Sequence, residues 1–321
     1  MKKAFIIIAI ILVILGSAIF FIALGSAKFD FRNLETSKLQ TKTYPVTEAF
    51  RNIQIEEDTA HVIFAASSDG TCSVECRETE KNVHRVTVED GTLKIVAEHM
   101  SGWRTWFSLS FEEESVTVYL PQDAYEMLLI ETHTGDVEIP QDLRFYDVDI
   151  TGSTGDVRCA ASVTNKLSIG LSTGDVTLSG VSAGAIKCIV TTGDIRFESV
   201  SCEGDVQLQV STGRTALDGL TCQNLRTEGS TGKASFNNVV VTGTLAIERD
   251  TGDVAFENSD AGEILVKTTT GDVTGTLRTG KTFVTKTSTG DVNVPESAAG
   301  GRCEITTSTG DIVLRIADGK R

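Results

Sequence analysis

Four aspartates, Asp136, Asp156, Asp175 and Asp194, recur at intervals of 20, 19 and 19 residues, each directly after a Thr-Gly pair. If the chain stacks at that interval, their carboxylates form one row. Neighbouring strands lie about 4.8 Å apart, and two full charges at that distance repel by about 0.9 kcal/mol even in water. Such a row needs relief. Turn amides can supply it, since Asp and Thr beside Gly bond the backbone of their own turn. Opposite charges can supply it too: Arg214 and Lys233 break the series beside Asp194 and Asp253. A divalent cation is the third source, because calcium prefers clustered oxygen ligands. The four aspartates are therefore read first as corner residues and second as a cation ladder.

Other chemistry-bearing residues form no pattern. The histidines are His61, His84, His99 and His133, and none stands by a serine-nucleophile motif or at metal-ligand spacing. His133 replaces the usual Ser or Thr before a Thr-Gly and reads as a surface turn residue. Cys72 and Cys76 flank Val74 on a strand-like stretch, so they share a face but lie too far apart to bond each other. There is no Cys-x-x-Cys pair among the seven cysteines. The expectation is no catalytic residue, no resident metal, no cofactor and no disulfide framework. Solenoids can carry polysaccharide-cleaving acids, but a repeated Asp is not a unique acid pair, so the chain is not expected to be an enzyme. Seven unpaired thiols fit a reducing compartment somewhat better than an oxidising one.

The elements that must position these residues follow from the repeat. The Thr-Gly glycines are Gly135, Gly155, Gly174, Gly193, Gly213, Gly232, Gly252, Gly271, Gly290 and Gly310, always 19 or 20 residues apart. A fixed period near twenty marks a repeat array. Apolar residues stand seven positions before each Gly and five before most, as in Leu167 and Ile169, and two and four after most, as in Val176 and Leu178. This period-two alternation, rich in β-branched residues, predicts strands on both sides of each corner. One coil cannot bury its apolar face alone, so the coils must stack. The expected fold is all-β: a single-stacked β-solenoid of about ten coils of 19–20 residues over 126–316, roughly 45–50 Å long.

The remainder divides into four parts. Residues 46–125 alternate like strands, with Asp69-Gly70 and Asp90-Gly91 as hairpin-type turns, and are expected to form an N-terminal β cap, its core plugged by Trp103, Trp106 and Phe107. Residues 28–45 read as a linker and 317–321 as a tail. The first 27 residues include some 22 uncharged, mostly apolar ones from Ala4 to Gly25, enough for one transmembrane helix and longer than the core of a cleaved signal peptide. An uncleaved signal anchor is expected, with cleavage near Gly25 and Ala27 as the alternative. Lys2 and Lys3 favour a cytoplasmic N-terminus, while Lys28, Arg32, Lys38 and Lys42 weaken that asymmetry. The net charge of −15 argues against nucleic acid. Expected partners are the cell membrane, through the N-terminal helix, and an envelope polymer or membrane protein.

The stretches "FRNIQIEEDTAHVIFAASSDG", "VEDGTLKIVAEH", "VTVYLP", "LLIETHTGDVEI" and the repeated "STGDV" occur in that order. Together they resemble the bacterial putative-adhesin domain family, over roughly Tyr44 to Ile316. The resemblance implies a β-solenoid, often membrane-anchored or tied to envelope-stress systems, and carries over no catalytic residues. The expected function is a membrane-anchored, non-enzymatic, adhesin-like scaffold with its rod outside the cytoplasm. The alternative is a regulatory accessory of an envelope-stress system, with the solenoid on the cytoplasmic side.

Overall fold

The computed structural model describes residues 2–26, 39–80, 82–99, 113–296 and 299–317. The expected plug of Trp103, Trp106 and Phe107, most of the linker and nearly all of the tail lie outside these residues.

The repeat folds as the alternation requires. From the corner at Gly135 to that at Gly232, each coil has a longer strand before its Thr-Gly, such as Ser162–Thr173, and a short one after it, such as Val176–Ser179. Long strands stack on long strands and short on short, all parallel and in matching register: Val148 lies between Leu128 and Leu167, and Val157 between Val137 and Val176. Side chains of one parity point inward and form one continuous buried core from Ile53 to Leu314. Ten corners bound about nine full turns of this solenoid.

The corner glycines have φ between +131° and +149°, a region that L side chains rarely adopt. Space requires glycine as well: a Cβ on Gly174 would stand 1.9 Å from the carbonyl oxygen of Gly155. The second turn of the coil is a ladder of its own. Gly180, Ser199, Gly219, Asn238 and Asn258 all have φ between +46° and +70°, where Gly and Asn are the usual residues and Ser199 is the exception.

Both ends of the stack depart from sequence order. The first coil strands, Asn52–Glu57 and His61–Ala66, lie inside, between the later strands Thr92–His99 and Ser115–Leu120 on one side and the first repeat on the other. At the opposite end Arg302–Thr306 and Ile312–Ile316 insert between the coil of Gly271 and the coil of Gly290. The row of corner aspartates therefore runs Asp272, Asp311, Asp291.

Antiparallel strands close the N-terminal end. Asn82–Glu89 and Thr92–His99 form a hairpin at Asp90-Gly91, whose φ values of +50° and +74° suit a tight primed turn. Asp69-Gly70 is a turn but not a hairpin: the strand that follows it, Cys72–Glu78, pairs with Ser115–Leu120 and Gln40–Val46, not with His61–Ala66.

Residues Lys2–Ser26 form one α-helix, α1. Its side chains are described without a break only from Ala9 to Ile22, and all of those are exposed. Among the described residues no helix is long and apolar enough to cross a membrane.

Candidate functional site

The sequence-derived row Asp136, Asp156, Asp175 and Asp194 is brought together as one ladder. Each carboxylate spends Oδ1 on its neighbour: Asp136 accepts the amide of Asp156 at 2.8 Å, Asp156 that of Asp175 at 3.0 Å, and Asp175 that of Asp194 at 2.8 Å. The ladder begins at His61, whose Nδ1 accepts the Asp136 amide at 3.0 Å. It passes to Arg214, whose amide bonds Asp194 at 2.7 Å.

Guanidinium groups hold the remaining oxygens. Arg158 lies 3.5 Å from Asp136 and 2.9 Å from Asp156, and Arg196 bridges Asp175 and Asp194 at 2.6 and 2.5 Å. Burial is the largest single influence on Asp175 and opposes its charge, but the bonds from Arg196 and the Asp194 amide, with the charges of Arg196 and Arg214, together outweigh it and lower the carboxyl below its ordinary range. In this geometry the relief comes from arginines and from the amides of the adjacent coil, rather than from amides of the aspartate's own turn. Arg214 stands beside Asp194, as its place in the series suggests; among the described residues no ion pair joins Lys233 to Asp253. Arg158 and Arg196 were missed, although both stand three residues after a corner Gly, and writing the repeats in register shows them.

The outer face of the long strands carries an open groove of about 340 Å³. Ala246 and Leu265 form its floor. Arg226, Glu228, Glu248 and Lys267 flank it, and Lys267 pairs with Glu248 at 2.8 Å. Ion pairs of this exposed kind contribute little to stability, so the groove is a shallow apolar strip in a charged frame.

All seven cysteines are free and buried. Burial pushes the thiols of Cys72 and Cys159 up to about 11 and those of Cys222 and Cys303 up to about 12, which leaves them inert as nucleophiles. Core thiols survive unpaired in either redox setting, so their number no longer favours a reducing one.

The cap holds a second cluster that spacing alone did not reveal. His84 is enclosed, with Nδ1 2.8 Å from Glu78 Oε2 and Nε2 2.9 Å from Glu57 Oε2. Glu57 also accepts the amides of Asp58 and Ala60, and the Lys42 ammonium pairs with Glu78 Oε1. Burial disfavours the charged ring, but bonds to Cys76 and Glu57 and the Glu57 charge outweigh it, holding His84 up to about 11. His133, by contrast, is exposed at its turn, 3.1 Å from Asp58.

The sequence profile of the Toastrack DUF4097 family matches residues 50–210 and 202–321. No curated protein matches the chain. Among solved structures, a putative adhesin from Parabacteroides merdae is similar at 13% identity and a TM-score of 0.51, over 75% of this chain and 97% of that one. A putative adhesin from Bacteroides fragilis has 14% identity and a TM-score of 0.44, over 87% and 97%. A putative lipid binding protein from Parabacteroides distasonis has 16% identity and a TM-score of 0.49, over 74% and 94%.

Proposed function

The chain belongs to the Toastrack DUF4097 family, and from that premise we propose that it is a non-enzymatic β-solenoid scaffold, held at the cell membrane by α1, that contacts an envelope polymer or a membrane protein through its outward strand faces. The observation that carries this reading is the state of α1. Ile10, Leu12, Val13, Ile14, Phe21 and Ile22 are each more than half exposed, on a helix of 25 residues that rises about 1.5 Å per residue. Such a surface left in water forfeits roughly 1.5–3 kcal/mol for each large side chain. Contact with the apolar interior of a membrane would remove that surface from water, and this supports anchoring, although among the described residues no helix is long and apolar enough to cross.

The contact half of the proposal draws on the long, regular outer faces and on the groove over Ala246 and Leu265. It also follows the name of the P. merdae neighbour, a putative adhesin. Placement outside the cytoplasm rests on Lys2 and Lys3 at the start of the helix.

The test is a cysteine at Ser179, an exposed position, against a background of buried native thiols. The proposal expects the S179C variant to react with a membrane-impermeant reagent on intact cells and to leave the membrane fraction only with detergent. Labelling confined to lysed cells would remove the surface reading and leave a cytoplasmic regulatory accessory. Release by salt alone would remove the anchor.

A further inference from the structure

The buried cluster of the cap has the composition and spacing of a metal site. Cys76 and Glu78 stand two apart on one strand, so both face inward, and His84 enters from the next strand. A sulfur, a carboxylate oxygen and an imidazole nitrogen of these residues all lie within 4.8 Å of one another. We propose that Cys76 Sγ, a Glu78 oxygen and His84 Nδ1 bind one divalent ion of the zinc class, with Glu57 fixing the ring through Nε2.

Three features of the cluster support this. The donor set of thiolate, imidazole and carboxylate is that of zinc, and three protein ligands leave a fourth position for water. The second ring nitrogen already faces a carboxylate at 2.9 Å, and that carboxylate is itself held by the amides of Asp58 and Ala60. Such an outer carboxylate is what selects the tautomer and orients a ligating histidine. The required movement is small. Tetrahedral bonds of 2.0–2.1 Å separate N and O by roughly 3.3 Å, against 2.8 Å between Nδ1 and Glu78 Oε2.

Binding takes a thiolate and a free imidazole nitrogen, so any proton on either leaves to solvent as the ion enters. The Lys42 side chain, 44% exposed against 0% for its partner Glu78, marks where the cluster meets solvent and where an ion enters.

The experiment uses the full chain, reduced and stripped by chelator, and titrates it with cobalt(II), which reports a bound thiolate by a charge-transfer band. One equivalent is expected to bind with that band and to be displaced by zinc. Cys76→Ser and His84→Gln are expected to lose the band and at least ~100-fold in affinity, Glu57→Gln ~10-fold with the band kept, and Cys72→Ser nothing. If folded wild-type protein takes up no cobalt, or takes it up without the thiolate band, the proposal is wrong. Retention of the band in Cys76→Ser overturns it equally. The wild-type titration decides alone should a variant fail to fold.

Discussion

A methyl group is the smallest probe of the Thr-Gly corner. Adding one at Gly174 meets both a disfavoured φ of +140° and the Gly155 oxygen at 1.9 Å, and backbone cannot yield as a side chain can. Gly174→Ala is expected to cost about 3 kcal/mol or more. Gly180 has φ +66° and open space around its would-be Cβ, so Gly180→Ala should cost only about 1 kcal/mol. Urea denaturation of both variants checks the contrast, and equal losses would show that φ alone decides. Two buried cations differ in the same way. Lys281 is paired, with Asp260 at 2.6 Å and the Ala261 carbonyl at 2.7 Å. Among the described residues Arg249 has no carboxylate partner: Nη2 reaches Thr215 and Thr227, while Nε and Nη1 find nothing. Its burial lowers the guanidinium to about 10. An apolar replacement removes that uncompensated charge, so Arg249→Met is expected to raise stability by about 1–3 kcal/mol, whereas Lys281→Met should lower it by leaving Asp260 unpaired.

At the scale of elements, the aspartate ladder is a device for stacking. Arg196 holds two carboxylates, and the lowered pKa of Asp175 gives the sign of its effect: the stabilisation is present above the ordinary Asp value near 3.8 and is lost as pH falls through the folded value. Arg196→Gln is expected to move the Asp175 titration upward, measured by carboxyl NMR. An unchanged titration would mean that the neighbouring amide sets it. How much of this was legible follows from what a period records. Gly, apolar and Asp positions repeat with the coil, so the strands, the corner and the row of carboxylates could be written down from spacing. Arg158 and Arg196 were equally available in the register. The cap cluster was not: Glu57 and His84 are 27 residues apart, and an antiparallel hairpin, which has no period, brings them together. The residues of the second turn could not be read from the period, because Gly180, Ser199, Gly219, Asn238 and Asn258 vary in type and share only their φ.

At the scale of the whole molecule, the period is blind to order. Gly271, Gly290 and Gly310 are evenly spaced whichever coil stacks on which, yet the chain places its last coil inside and the one before it outside. The consequence is energetic. Arg302–Thr306 is hydrogen-bonded to strands on both sides, and Ile312–Ile316 likewise. Among the described residues Thr282–Lys286 has one partner strand, Arg302–Thr306, and its own residues are exposed or only partly buried. Opening the inner strands requires two ladders to break, opening the outer one requires a single ladder, and local stability follows that difference. Chain termini ordinarily fray first; here the order is reversed. Hydrogen exchange is expected to find the amides of Cys303, Ile305 and Leu314 protected at least tenfold longer than those of Phe283 and Val284, although they lie nearer the C-terminus. Deleting residues 302–321 should then remove more than one coil, because Thr282–Lys286 loses the strand it pairs with among the described residues. Exchange that slows steadily with distance from the C-terminus would show that the stack follows sequence order to its end.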